Sequence, residues 1–301
     1  MGHRKLQLLG VVEKPRVPLA AALSCLTMRQ LWLAMLCIAP LTAQQITKDI
    51  VYREGASKAW RLDLILPDGT PSKPRPAIVF VHGGGWRGGD KSGFTQMALP
   101  YARNGYVAIS VTYRLSQEAP FPAAVEDVKC AVRWLRANAA KYSVDPKRIG
   151  AHGNSAGAHL VTMLGLVKAS DGLEGDGPYR NQSSAVQAVA AAATPTDFNK
   201  WADGYASYQE AVLPFAGNHK QKASPLTYVR KDAPPFLLIH GTGDKTVPFD
   251  QAERFVAAMK KAGARDVTLL RYEGEGHNVF RSKAPETVNA MADFFRRILK
   301  P

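Results

Sequence analysis

Short apolar runs alternate with stretches of helical spacing along most of this chain. Thr47 to Arg53 and Arg61 to Leu66 alternate apolar and polar side chains, which predicts an antiparallel opening pair turning through Gly55 and Ser57. Ala77 to Val81, Val107 to Val111, Arg148 to Ala151, Val186 to Ala193, Phe236 to Ile239 and Val267 to Tyr272 follow as further strands. The first of these is apolar throughout, the pattern of a strand covered on both faces. Between strands, Val125, Val128, Val132 and Leu135, then Phe255, Ala258 and Met259, and finally Val288, Met291, Phe294 and Phe295 recur at helical spacing and mark core-facing stripes. The alternation predicts an α/β class, a mostly parallel sheet of roughly eight strands with helices on both faces. Ala169 to Ala233 interrupts this rhythm with Gly172, Gly175, Gly177, Pro178 and Pro214. That stretch is expected to form the rim and a small cap, with Phe198, Trp201, Tyr205, Tyr208 and Phe215 as an aromatic lining.

Segments at the strand ends carry the chemistry. Gly153-Asn154-Ser155-Ala156-Gly157 lies between the run Arg148 to His152 and a helical pattern from Ala158 to Lys168, where a strand must turn sharply into a helix. Such a turn strains its central residue, and tiny neighbours let strand and helix pass closely enough to permit it. The apolar strand Ala77 to Val81 leads into His82-Gly83-Gly84-Gly85-Trp86, whose glycines can turn N–H groups toward a carbonyl oxygen. Gly83 and Gly84, with Ala156, are the expected donors of an oxyanion hole. Pro235 to His240 leads into Gly241-Thr242-Gly243-Asp244, and Gly274-Glu275-Gly276-His277 follows the strand Val267 to Tyr272. Taken singly, a loop Asp is a turn former and a loop His does nothing. Together, Ser155, Asp244 and His277 stand in the chain order of a catalytic triad on an open α/β sheet, whose sites assemble at the carboxyl ends of strands. Trp86 and Tyr113, each just past a strand end, are expected to line the pocket. His152 and His159 flank Ser155 but read as structural, the first ending a buried strand and the second facing away from the elbow. His82 reads as fixing the glycine loop by hydrogen bonding.

On these residues the chain resembles an α/β-hydrolase of the esterase group that includes hormone-sensitive-lipase-like enzymes and a feruloyl and acetylxylan esterase-like branch. The resemblance runs from about Ile46 onward and rests on His82 to Trp86, Tyr113-Arg114-Leu115, Gly153 to Gly157, Ser224-Pro225 and Gly241 to Asp244. Asn154 stands where hormone-sensitive-lipase relatives carry an acid, and Ala158 replaces their last glycine. The run Gly241 to Pro248 points to the feruloyl and acetylxylan branch. The resemblance implies a serine carboxylesterase acting on short-chain or carbohydrate-linked esters. An amidase, a formamidase or a serine peptidase would use the same triad, and a silent hydrolase fold serving as a binding module would lack one of its members.

Composition sets the remaining bounds. With 301 residues and 46% hydrophobic content, one large core and one catalytic domain over residues 44–301 are expected. Residues 1–43 read as a signal peptide: Met28-Arg29 precedes the apolar run Leu31 to Ala39, too short for a membrane span, and Leu41-Thr42-Ala43 follows. Secretion, or residence in the periplasm or cell envelope, is the expectation. Cys25 and Cys37 fall in that segment, leaving Cys130 alone in the remainder, which allows no internal disulfide. The net charge of +14 falls to +10 beyond the leader, from 34 basic and 24 acidic residues. These charges are scattered without a dense basic run, so nucleic acid is not an expected partner, nor is an integral membrane span expected in the mature chain. No metal motif and no phosphate or dinucleotide loop is present, and no cofactor is expected. The partner expected is a small-molecule or polysaccharide-linked ester, and the oligomeric state stays open.

Overall fold

The computed structural model describes residues 44–201 and 204–301. Residues 1–43, with their signal-peptide reading, Cys25 and Cys37, lie outside the described residues. Eight strands form a single sheet: β1 (Gln45–Val51), β2 (Arg61–Leu66), β3 (Arg75–Val81), β4 (Val107–Val111), β5 (Val144–Asn154), β6 (Ala188–Ala192), β7 (Phe236–Gly241) and β8 (Val267–Tyr272). Their spatial order is β1-β2-β4-β3-β5-β6-β7-β8. β2 runs antiparallel to both neighbours, and every other pair is parallel. This is the open α/β-hydrolase sheet that the sequence implies. Boundaries move by a few residues, most at β5, which starts earlier because Val144 pairs with Arg75.

Among the described residues, five helices of ten or more residues cover the sheet: α1 (Ser92–Arg103), α2 (Ala123–Ala137), α3 (Ala156–Leu166), α4 (Asp250–Lys261) and α5 (Glu286–Leu299). Successive side chains of a strand point to opposite faces, and β3 shows the result. Ala77, Val79 and Val81 pack in one core with α2, α3 and α4, whereas Ile78 and Phe80 pack in the other with α1 and α5. From β3 the chain crosses by α1 to β4 on one side, then by α2 back past β3 to β5 on the other. The sheet therefore switches direction between β3 and β5, and the crevice beyond their carboxyl ends is where such sheets bind ligands. Those ends carry the glycine loop and Ser155.

The rim departs from the expectation of one cap over Ala169 to Ala233. Because β5 and β6 are parallel, α3 must run back to the amino ends of the strands, and the segment after it lies along the outside of α2, where Gly175 packs on Glu126 and Asp176 pairs with Arg53 at 2.8 Å. Three cations on α2 hold that segment. Lys129 Nζ reaches Val167 O at 3.1 Å, Glu174 Oε1 at 2.6 Å and Ser184 Oγ at 3.0 Å. Arg133 Nη1 donates to Glu174 Oε2 at 2.6 Å, and Arg136 donates to Ser183 O and Ala185 O. The later part, with the short helical turns Tyr208–Val212, Leu213–Ala216, Lys220–Ala223 and Pro225–Tyr228, meets the glycine loop and the Asp244 loop.

Asp127 is the buried polar anchor of the β4 end. Fully buried on α2, it accepts from Trp60 Nε1 at 2.9 Å, from Arg114 N at 2.9 Å and from Arg114 Nη2 at 2.8 Å. Removing one partner of such a pair leaves the rest desolvated and unsatisfied. Asp127→Ala is expected to cost about 3 kcal/mol of stability, read as a lower urea midpoint at unchanged slope.

Candidate active site

Ser155 occupies a backbone conformation that few side chains tolerate. At the junction of β5 and α3 it has φ 53° and ψ −121°, a region that costs of order 1–3 kcal/mol and persists only where the surroundings enforce it. Its N–H donates to Ala192 O on the neighbouring strand at 2.8 Å. Close passage of α3 over β3 requires Gly157, where a Cβ would stand 2.1 Å from Val81 O. Ser155 Oγ makes no side-chain hydrogen bond among the described residues.

The glycine loop meets the elbow from the end of β3. A Cβ on Gly83 would lie 2.8 Å from Asn154 O, so the loop backbone touches the residue before Ser155. Gly84, at φ +115°, curls the loop so that its carbonyl accepts from Arg87 N–H at 3.0 Å and Gly88 N–H at 3.1 Å. The N–H groups of Gly83 and Gly84 donate to no backbone acceptor among the described residues. Ala156 N–H opens α3, in the first turn where a helix leaves its amides without internal partners. The three expected donors are thus uncommitted and lie on two segments in contact.

His277 and Asp244 meet at the same end of the sheet. His277 Nδ1 lies 2.8 Å from Asp244 Oδ2. Asp244 is buried, and its Oδ1 accepts from the N–H groups of Thr246 at 2.8 Å and Val247 at 2.9 Å. A second ring was not evident from sequence: His240 Nε2 stands 3.2 Å from Asp244 Oδ2 and 3.1 Å from Val247 O, so one N–H there serves both acceptors. Burial works to raise the Asp244 pKa, but the hydrogen bonds from His240, His277 and Val247 N–H hold the carboxyl well below the usual carboxylate range. Tyr205 Oη donates to Asp244 O at 3.1 Å and Ser207 Oγ to Thr246 O at 2.5 Å, which ties the rim to the acid loop. His277, Gly83, Asn154 and Ala192 share the wall of a cavity of about 370 Å³. A larger one, about 1020 Å³, lies along α2 and the Lys168 to Ala185 segment, lined by Arg133, Glu174 and other charged residues. It contains no part of the elbow or the glycine loop.

The comparisons with known proteins bear on the fold and the family. The solved structure described as a truncated carbohydrate esterase from gut microbiota superposes with a TM-score of 0.76 at 30% identity, covering 84% of this chain and 95% of that one. Esterase 2 of Thermogutta terrifontis, phosphonylated by sarin, gives 0.73 at 30% identity, covering 85% and 94%. Esterase LipC of Mycobacterium tuberculosis is 30% identical over 261 residues, which is 81% of this chain and 64% of LipC. LipQ of the same organism is 32% identical over 248 residues, 77% of this chain and 56% of LipQ. The chain thus spans roughly three-fifths of the length of these two curated relatives. The BD-FAE family matches residues 62–259. This chain belongs to the BD-FAE family.

In this BD-FAE chain the two residues expected to line the pocket do something else. Tyr113 is fully buried; its hydroxyl donates to His82 O at 2.9 Å and its ring stacks on His82 with centroids 4.3 Å apart. Burial pushes its pKa far up, so it remains a neutral donor. Tyr113 thus braces the glycine loop, and Arg114, tied to Asp127, fixes its position. Trp86, only 2% exposed, stacks on Phe215 with centroids 4.5 Å apart and meets Phe198 and His159 edge-on. Phe198 and Phe215 are accordingly packing residues, whereas Trp201, Tyr205 and Tyr208 are half-exposed. The segment after β4 and the rim both hold the loop: Ser116 N–H donates to Trp86 O, Phe121 N–H to Phe215 O in the rim, and the Arg87 side chain to Glu210 O. His82 Nδ1 lies 2.8 Å from Gly83 O, in line with its reading as a loop brace.

His152 and His159 take structural places in this family member. His152 Nδ1 lies 3.0 Å from Ala190 O, and His159 Nε2 lies 2.7 Å from Ala223 O. Both rings are fully buried, and burial pushes their pKa down to about 4. In the unfolded chain they titrate near ~6.5. Below that pH the unfolded state binds protons that the native state refuses, so stability falls as pH drops toward about 4, by up to about 3 kcal/mol per ring. Urea midpoints at stepped pH values check this. A flat profile from pH ~6.5 downward would mean that the rings are protonated inside the fold.

Proposed function

We propose that this protein is a serine carboxylesterase that cleaves short-chain or carbohydrate-linked esters, of acetyl or feruloyl type, through an acyl-enzyme. The observation that carries this reading is the His277–Asp244 hydrogen bond at the same sheet end as the strained Ser155. With Nδ1–H donated to Asp244, the Nε2 of His277 is left as a lone-pair acceptor for the Ser155 proton. Ser155 Oγ attacks the ester carbonyl, and the oxyanion takes hydrogen bonds from Gly83, Gly84 and Ala156 N–H, each worth about 3 kcal/mol in comparable sites. His277 then hands its proton to the leaving alcohol, and water repeats the sequence on the acyl-enzyme. Asp244, held ionised by its bonds, keeps the ring in the productive tautomer.

The relatives support the reaction class: LipC and LipQ are esterases, one structural neighbour is a carbohydrate esterase, and another is phosphonylated by sarin. A series of p-nitrophenyl esters of increasing chain length, extended to methyl ferulate and acetylated xylan, tests the proposal. Turnover confined to short acyl chains or to the sugar and ferulate esters supports it. Failure on every ester, with cleavage of a matched amide, would transfer the same residues to an amidase. The leader adds secretion or residence in the cell envelope to this proposal, to be checked by whether recovered protein begins near Gln44.

A further inference from the structure

Asp244 faces two histidines, and only His277 has a part in the proton transfers derived above. The other, His240, comes from β7 itself. Alternation along that strand sends Phe236, Leu238 and His240 to the α4 face, while Leu237 and Ile239 pack in the opposite core. The His240 ring is fully buried and meets Phe249, just before α4, edge-on with centroids 5.5 Å apart. Its Nε2 lies 3.1 Å from Val247 O and 3.2 Å from Asp244 Oδ2, two acceptors that only an N–H can face. Its Nδ1 is buried with no hydrogen-bond partner among the described residues. A proton there would be unsatisfied, so the ring carries its one N–H at Nε2. Burying an imidazole with an orphan nitrogen costs stability that an aliphatic side chain beside Leu238 would not. Packing alone does not account for a histidine at this place.

We infer that His240 is a positioning residue, whose N–H ties the Asp244 carboxylate to the backbone of its own loop and keeps Oδ2 turned toward His277. The inference rests on the esterase reading above. An ionised carboxylate offers about four lone-pair sites. Thr246 and Val247 N–H take Oδ1, and His277 Nδ1 and His240 Nε2 take Oδ2, which leaves no site for water. The torsion that turns a carboxylate is soft, so its facing is fixed only by such donors. His277 gains a proton from Ser155 and gives it to the leaving alcohol, and its hold on Oδ2 changes within every turnover. The N–H of His240 takes no part in that transfer and holds the same oxygen throughout. It also draws on the charge of Oδ2, which favours the Nδ1 proton staying on His277 rather than crossing to the acid.

The test replaces the ring in three ways. His240→Leu fills the space without a donor, His240→Asn keeps an amide too short to reach Oδ2, and His240→Gln brings an amide N–H close to the place of Nε2. The final extent of fluorophosphonate labelling counts competent sites, so that kcat on p-nitrophenyl acetate is read per folded molecule. The Leu and Asn variants are expected to lower kcat by about 10², with KM little changed because the buried ring touches no substrate. Their labelling should slow in step while still running to completion. Gln is expected to recover most of the loss. Parent-like kcat in the variants without the donor would overturn the assignment, and an equal loss in all three would give the ring a packing role alone and overturn it too. Should the Leu variant fail to fold, Asn against Gln still decides. Failure of the esterase reading itself looks different: the unaltered protein would turn over no ester, and a fluorophosphonate would not label Ser155.

Discussion

Ser155→Ala is expected to lower kcat/KM for any ester the protein cleaves by about 10⁴ or more. The magnitude follows from the loss of the covalent route. Without Oγ the ester can be attacked only by water, and what remains is the contribution of the Gly83, Gly84 and Ala156 donors and of binding. Alanine also removes nothing that holds the elbow, since the constraints on residue 155 are its N–H bond to Ala192 O and the close approach at Gly157. The variant should therefore fold, melt close to the parent and lose fluorophosphonate labelling. Ester turnover within tenfold of the parent would remove Ser155 from the mechanism.

Asp244→Asn is expected to cost about 10⁴ in kcat by enforcing the wrong tautomer of His277. The geometry leaves the amide little choice. Thr246 and Val247 N–H both need an acceptor at the Oδ1 position, so the amide oxygen must stay there. The NH2 group then takes the Oδ2 position, facing His277 Nδ1 and His240 Nε2. His277 Nδ1 must accept, its proton moves to Nε2, and Nε2 can no longer take the proton of Ser155. The N–H that His240 gives to Asp244 would oppose the same NH2 group, so a lower Tm should accompany the loss. Parent-like kcat in the Asn variant would show that His277 is oriented by something other than Asp244.

Much of the sheet was legible because β3, β4 and β7 are apolar on both faces and could only be buried strands. Helix α1 is hidden in the sequence, since Gly93 and Pro100 disguise the stripe of Phe94, Ala98, Tyr101 and Ala102 that it buries. Breakers such as Gly172 and Pro178 mark a loop but not the helix along which it lies. That follows only from the contacts of Lys129, Arg133 and Arg136. Ser155, Asp244 and His277 could be chosen from chain order and strand ends, which local sequence encodes. The bond between His240 and Asp244 could not, because it depends on how the acid loop folds back on its own strand. Trp86 and Tyr113 stand just past strand ends but face the core, since side-chain direction beyond a strand is set by whatever packs there.

The stack of Trp86 on Phe215 bears on how this scaffold can be altered. Rim and glycine loop share the contacts of Trp86 with Phe198 and Phe215 and the hydrogen bond from Arg87 to Glu210 O, so they are not separable modules. A rim transplanted from a relative to change substrate preference would also shift the donors that set the rate, unless the facing loop residues travel with it. Laboratory evolution of selectivity here should accordingly accept substitutions in matched pairs across that contact, and single changes on either side should trade turnover against preference.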